Sequence, residues 1–289
     1  MSAVQPVEAI DLRFAERQCV ALARREAGNF FWGFSMLPRE RMVAMSAFYS
    51  FARQVDDEVD LAPADSAAAR LAVHRQRLRD CLDGRGRDPV MVVLGRAVER
   101  YQIPASDLEQ VIEGAELDLK RNRYQTWEQL NGYCELVASS VGRVCVRIFG
   151  HRDRLALEYA HQLGLAMQIT NILRDVGEDL DRGRIYIPLE DMDACGVAEE
   201  ALLALRPGDG WSELIHLEAR RAERLFEIGL RVTGYIPYRA AVCVRTMAGI
   251  YRTLLGRIEA DPYLPLTARA RLDLRGKLAV LMRSWLQPA

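Results

Sequence analysis

Two groups of carboxylates recur in this chain at one spacing: Asp56 and Asp60 within QVDDEVD, and Asp175 and Asp179 within NILRDVGED. A four-residue step returns to the same side of an α-helix, so each group stacks two carboxylates on one face, one turn apart. Like charges so placed repel by roughly 0.2–0.5 kcal/mol even on a solvated helix, and the flanking residues are apolar enough to bury much of each helix. A cation is needed to offset them. Mg²⁺ takes oxygen ligands in octahedral geometry, keeps several waters, and is held by one or two carboxylates together with substrate phosphates. Two opposed helices, each offering such a pair, could bridge a diphosphate through several ions.

Both pairs extend into polar stripes. Counting back from Asp60 gives Asp56, Arg53 and Tyr49 at steps of four, three and four, while Ala44, Met45, Ala47, Phe48 and Phe51 on the other faces want burial. An Arg donor fork beside two carboxylates suits a phosphate and metal site. The plain alternative is a charged surface helix with Arg53 in an intrahelical ion pair. Asp57 and Glu58 fall off the stripe and read as solvated. The second stripe, Gln168, Asn171, Asp175 and Asp179, runs at three, four and four through the apolar GLAMQITNIL. Amides in such a setting need hydrogen-bond partners, which ligands or waters around a metal would supply. Arg182 and Arg184 follow on a Gly-containing turn, where guanidinium groups could clamp phosphate oxygens; for Arg182 a surface loop is an equal reading.

The elements that must position these residues are helices. At 289 residues and 50% hydrophobic content the chain has ample material for a core. Strand alternation is scarce, no Asn-Gly or Asp-Gly hairpin turn occurs, and no break is long enough to be an interdomain linker. The expectation is one all-α domain over residues 1–289. Helices are expected over Asp65 to Leu82, Val90 to Tyr101 behind Asp88-Pro89, Leu108 to Leu119 capped by Ser106 or Asp107, and Leu130 to Phe149 behind Thr126. Met42 to Phe51, Leu163 to Leu173 and Ala240 to Leu255 are hydrophobic on most faces and should be central. A net charge of −1 gives no field favouring nucleic acid. The first residues read as neither a signal nor a transit peptide, and no apolar run approaches the about 18 residues that span a bilayer. Six scattered cysteines without metal-ligand spacing suggest reduced thiols in a cytoplasmic protein.

The strings FARQVDDEVD and NILRDVGEDLDRGRIYIP resemble the squalene and phytoene synthase family of head-to-head prenyl transferases. The resemblance runs from Asn29-Phe-Phe-Trp-Gly-Phe-Ser-Met-Leu-Pro38 through Ile112 to Asp118 and Tyr133 to Gly142, as far as Tyr251-Arg252. It implies an all-α isoprenoid-synthase (terpenoid-synthase) bundle with a central cavity for two prenyl diphosphates. By position, Asp56, Asp60, Asn171, Asp175 and Asp179 would hold Mg²⁺, for which Mn²⁺ could substitute. Tyr49, Arg53, Gln168, Arg174, Arg184 and Tyr186 would surround the diphosphates, with Tyr133 near the reacting carbons and Tyr251 near a diphosphate. Phe30 and Phe34 match the substrate entrance, though as residues they read equally as core aromatics. The small residues from Ala138 to Gly142 would leave room for a prenyl tail along Val137 and Val141; close helix packing is the alternative.

The implied reaction condenses two molecules of farnesyl diphosphate to presqualene diphosphate, needing no nicotinamide for that first half. Phytoene and dehydrosqualene synthases usually read AGTVG where this chain has Ala138-Ser-Ser-Val-Gly142, and Arg143 to Phe149 looks more like presqualene diphosphate synthases of hopanoid biosynthesis. A phytoene or dehydrosqualene synthase of carotenoid biosynthesis is the second reading. A non-catalytic helical assembly factor would be expected to have lost the aspartates, and a terpene cyclase would carry DDxxD with an NSE-type triad. The partners expected are the prenyl substrate, downstream isoprenoid enzymes and peripheral contact with the inner face of a membrane, since the product would be lipid-soluble.

Overall fold

The computed structural model describes residues 10–60 and 64–287. Helices start where a side chain or proline settles the first free N–H groups. Asp11 caps α1 (Leu12–Glu26) through Arg13 and Phe14. After α2 (Asn29–Phe34), α3 (Arg39–Asp60) and α4 (Ala64–Leu82), Asp88 accepts from the N–H groups of Val90 and Met91 with Pro89 in the first turn, opening α5 (Pro89–Tyr101). Pro104 precedes α6 (Ala105–Asp118), which has no side-chain cap. The expected caps, Ser106 and Asp107, lie inside the first turn, and Asp107 instead pairs with Arg143 at 2.8 Å. Thr126 opens α7 (Trp127–Cys134) by accepting from Gln129.

The expected single helix from Leu130 to Phe149 is interrupted. A π-helical turn, Glu135–Ser139, joins α7 to α8 (Ser140–Phe149), with the N–H of Ser140 reaching back five residues to the Glu135 carbonyl. Then come α9 (Leu155–Asp181), α10 (Leu189–Ala194), α11 (Glu199–Leu203), α12 (Trp211–Gly229), a 3₁₀ turn at Leu230–Gly234, α13 (Tyr238–Ala260), α14 (Leu264–Thr267) and α15 (Leu274–Leu286). Among the described residues the only β feature is a bridge between Arg123 and Ile185. It draws the turn after α9 against the segment before α7.

The bundle is organised around α9, which packs on α8, α12, α13 and the π turn, while α3 packs on α1, α5 and α6. Phe48, Phe51, Leu165, Ile169, Leu173, Ile250 and Leu254 are buried, so the three segments expected to be central are. Close approach has a cause in sequence. A Cβ on Gly142 would lie 2.6 Å from the Ala160 carbonyl oxygen, and one on Gly164 2.6 Å from that of Ala138. All six cysteines are unpaired, and no helix among the described residues is long and apolar enough to cross a membrane.

Candidate active site

The helices surround a cavity of about 780 Å³. α3 brings Tyr49, Arg53 and Asp56 to it, and α9 brings Gln168, Asn171, Arg174, Asp175 and Asp179. Arg182, Arg184 and Tyr186 follow on the turn after α9, which the positive φ of Gly183 (+71°) makes possible. Tyr133, Val137, Val141 and Tyr251 line the same space, as do Phe30 and Phe34. Arg182 thus lies on the cavity, not on a remote loop. Asp60 ends α3, and its side chain lies outside the described residues.

At the polar end, Asp175 is gripped by two guanidinium groups. Arg174 lies 2.8 and 2.5 Å from its oxygens, and Arg269 reaches it at 2.8 and 3.0 Å. Burial works against the Arg174 charge, but Asp175 outweighs it and holds the group more firmly protonated. Burial, reinforced by the charge of Asp175, pushes the Asp179 carboxyl up to about 7 despite Arg184 and Arg182. Beside them, Asn171 Oδ1 is buried without a hydrogen-bond partner, while its Nδ2 lies 3.4 Å from Gln168 Oε1. Among the described residues no three His, Cys, Asp or Glu side chains converge to cage an ion unaided.

Further in, three tyrosines stack. Tyr133 and Tyr186 have ring centroids 5.3 Å apart, and Tyr124 lies 5.4 and 5.8 Å from them. Both Tyr133 and Tyr186 donate their hydroxyls to Asp118, each at 2.9 Å. Burial, then the Asp118 charge, drives the Tyr133 phenol well above its ordinary range, so it remains a neutral donor. Spacing in the sequence does not single out Asp118, nor Arg269 and Lys277, which also line the cavity. Near α2, Tyr49 donates to the Glu26 carbonyl at 2.9 Å, and burial pushes its phenol up to about 12. Phe30 joins Tyr49 and Tyr251 in an aromatic cluster, with centroids 6.1 and 6.0 Å away.

Two sequence expectations need correction. Arg53 pairs with Asp57 at 2.7 Å, so Asp57 is not simply solvated. Glu58 is a tie between helices: it accepts from Arg70 and lies 3.0 Å from His74 Nε2, both on α4. Val137, Ala138, Val141 and Gly142 border the cavity, as a wall along a prenyl tail would, and Gly142 also admits the α9 backbone at Ala160, so both readings of these small residues hold.

The helical bundle with its central cavity is an isoprenoid-synthase fold. It matches the squalene synthase HpnC of Alicyclobacillus acidocaldarius with a TM-score of 0.82 at 30% identity, over 89% of this chain and 97% of that one. A dehydrosqualene synthase matches with a TM-score of 0.88 at 28% identity, over 94% and 96%. The squalene/phytoene synthase family model matches residues 23–276. Phytoene synthase of Mycobacterium tuberculosis is 36% identical over 91% of this chain and 88% of its own length. The 15-cis-phytoene synthase of Synechocystis is 33% identical over 93% and 84%. The chain belongs to the squalene/phytoene synthase family, whose members are prenyltransferases acting on prenyl diphosphates.

Proposed function

We propose that this protein is a Mg²⁺-dependent head-to-head prenyl transferase that joins two molecules of farnesyl diphosphate into presqualene diphosphate, releasing diphosphate. The observation that carries this reading is the convergence of both polar stripes on one cavity that many apolar side chains also line. Asp56, Asn171, Asp175 and Asp179 are the residues to hold Mg²⁺, with Asp60 assigned on spacing alone. The partnerless Asn171 oxygen and the desolvated Asp179 suit such an ion, and the absence of a ready-made cage among the described residues fits one that takes its remaining ligands from phosphate and water. Bound there, Mg²⁺ supplies charge neutralisation to a departing diphosphate.

The protein's own groups do the rest. Arg53, Arg174, Arg182 and Arg184 bind phosphate oxygens, and Gln168 and Tyr251 orient them. Phe34, Val137, Val141 and Phe149 exclude water from an allylic cation. Tyr133 and Tyr186, held neutral over Asp118, offer the cation an aromatic wall rather than a phenolate base. In this reading the released diphosphate takes the proton lost on cyclopropane closure, with Tyr133 placed to assist it.

A second reading, phytoene synthase acting on the longer geranylgeranyl diphosphate, is favoured by the names of the mycobacterial and cyanobacterial relatives. Incubation with each substrate and mass spectrometry of the extracted lipid separates the two. A C30 cyclopropyl diphosphate from farnesyl diphosphate is expected, and a C40 product from geranylgeranyl diphosphate alone would overturn the presqualene assignment. Chelation should abolish turnover. Asp56→Asn and Asp175→Asn should each lower it by about 100-fold or more with unchanged circular dichroism; unaltered turnover in both would refute the metal roles.

A further inference from the structure

α15 presents a face that is largely uncovered among the described residues. At 100° per residue, Leu274, Leu278, Met282, Trp285 and Leu286 fall within one third of its circumference. They are 58, 41, 66, 40 and 81% exposed, which makes this the densest group of exposed large apolar side chains among the described residues. Fraying does not explain it. Asp273 caps the helix through Gly276 at 2.9 Å, Ser284 is buried, and Val280 packs against Gly249 of α13. The far end is fixed as well: Tyr238 donates to the Trp285 carbonyl at 2.6 Å, and the Trp285 ring nitrogen lies 3.3 Å from Met36 Sδ.

Charge decides what covers this face. From Leu274 to Gln287 there is no acidic residue, while Arg275 stands within the apolar arc and Arg283 and Lys277 flank it on either side, each about 60° outside it. A second copy packed across a two-fold axis would set Arg275 and Arg283 against the same basic face. An anionic bilayer receives apolar side chains and guanidinium groups together, because Arg extends its head to the phosphates while its stem stays in the apolar layer. Position agrees. Arg271 and Leu272, just before α15, and Lys277 in its first turn also line the cavity, so this end of the helix borders the cavity.

We propose that α15 is a membrane-docking helix that lies in the surface plane of an anionic bilayer and holds the adjoining part of the cavity against the lipid. This holds whichever prenyl diphosphate the cavity accepts. The test is co-sedimentation of the full chain with vesicles of phosphatidylcholine alone or with one-third phosphatidylglycerol. Wild-type protein should pellet with the anionic vesicles and be released by high salt. Met282→Glu with Leu286→Glu, and separately Arg275→Glu with Arg283→Glu, should each weaken partitioning by about tenfold or more. Turnover of detergent-dispersed substrate should not change, since none of the four residues lines the cavity. The proposal is overturned if wild-type protein binds neither vesicle, or if both double variants partition as wild type does. It is also overturned if sedimentation velocity shows a dimer that Met282→Glu with Leu286→Glu dissociates while vesicles are ignored.

Discussion

Asp118 shows what a single residue does in this site and why sequence does not reveal it. The two stripes were legible because their members share one helix, where spacing alone fixes a common face. Asp118 gains its meaning from Tyr133, 15 residues away, and Tyr186, 68 away; no local pattern encodes that convergence. Its carboxylate fixes both hydroxyls, and hydrogen bonds to a charged acceptor contribute about 1.5–3 kcal/mol each. Asp118→Asn keeps the shape but replaces one acceptor oxygen with a donor, so one tyrosine hydroxyl loses the charged acceptor for its proton. The expected outcome is a loss of about 1–3 kcal/mol in chemical denaturation and a fall in kcat with little change in KM, because the stacked rings orient the reacting chains rather than grip the diphosphate. A KM increase with kcat intact would show that Asp118 serves binding instead.

At the scale of elements, apolar content located α3, α9 and α13 because helices hydrophobic all round must be central. The π turn after α7 was invisible, since periodicity reports which faces are apolar and not which carbonyl each N–H selects. The partner of Gly142 was equally hidden: the Ala160 carbonyl whose close approach it permits belongs to α9. This packing makes a paired prediction. A Cβ at position 164 would stand 2.6 Å from the Ala138 carbonyl oxygen and 2.9 Å from its carbon, both backbone atoms that cannot rotate away. Gly164→Ala should therefore destabilise by about 1–3 kcal/mol. Gly132, exposed on α7, has no atom within 4 Å of the point where a Cβ would stand, so Gly132→Ala should stabilise by about 0.5–1 kcal/mol through helix propensity. Thermal melts of the two variants should move in opposite directions; a Gly164→Ala variant that melts no lower than wild type would mean that the π turn and α9 can part without cost.

For the whole molecule, one interior carboxyl of consequence lies outside the cavity. Glu218 on α12 is 2% exposed and shares Arg221 with Asp191 on α10, at 2.5 and 2.9 Å. Arg221 also stands 4.4 Å over the ring of Trp127, at the start of α7. One guanidinium thus serves two carboxylates at the junction of three helices. Burial is the main reason the Glu218 carboxyl is pushed up to about 7 from an ordinary 4.5, with Arg221 opposing and Asp191 adding to the rise. An unfolded chain releases this proton near pH 4.5, whereas the folded one keeps it to about pH 7. The associated stability is therefore full below pH 4.5 and lost as pH rises through 7, a change on the order of 3 kcal/mol. Asp179 acts in the same direction, so Glu218→Gln should flatten the fall in melting temperature between pH 5 and pH 8 (about the window set by these groups) without abolishing it. An unaltered slope would mean that Arg221 keeps Glu218 ionised throughout, and that the junction is held by a permanent ion pair rather than by a proton.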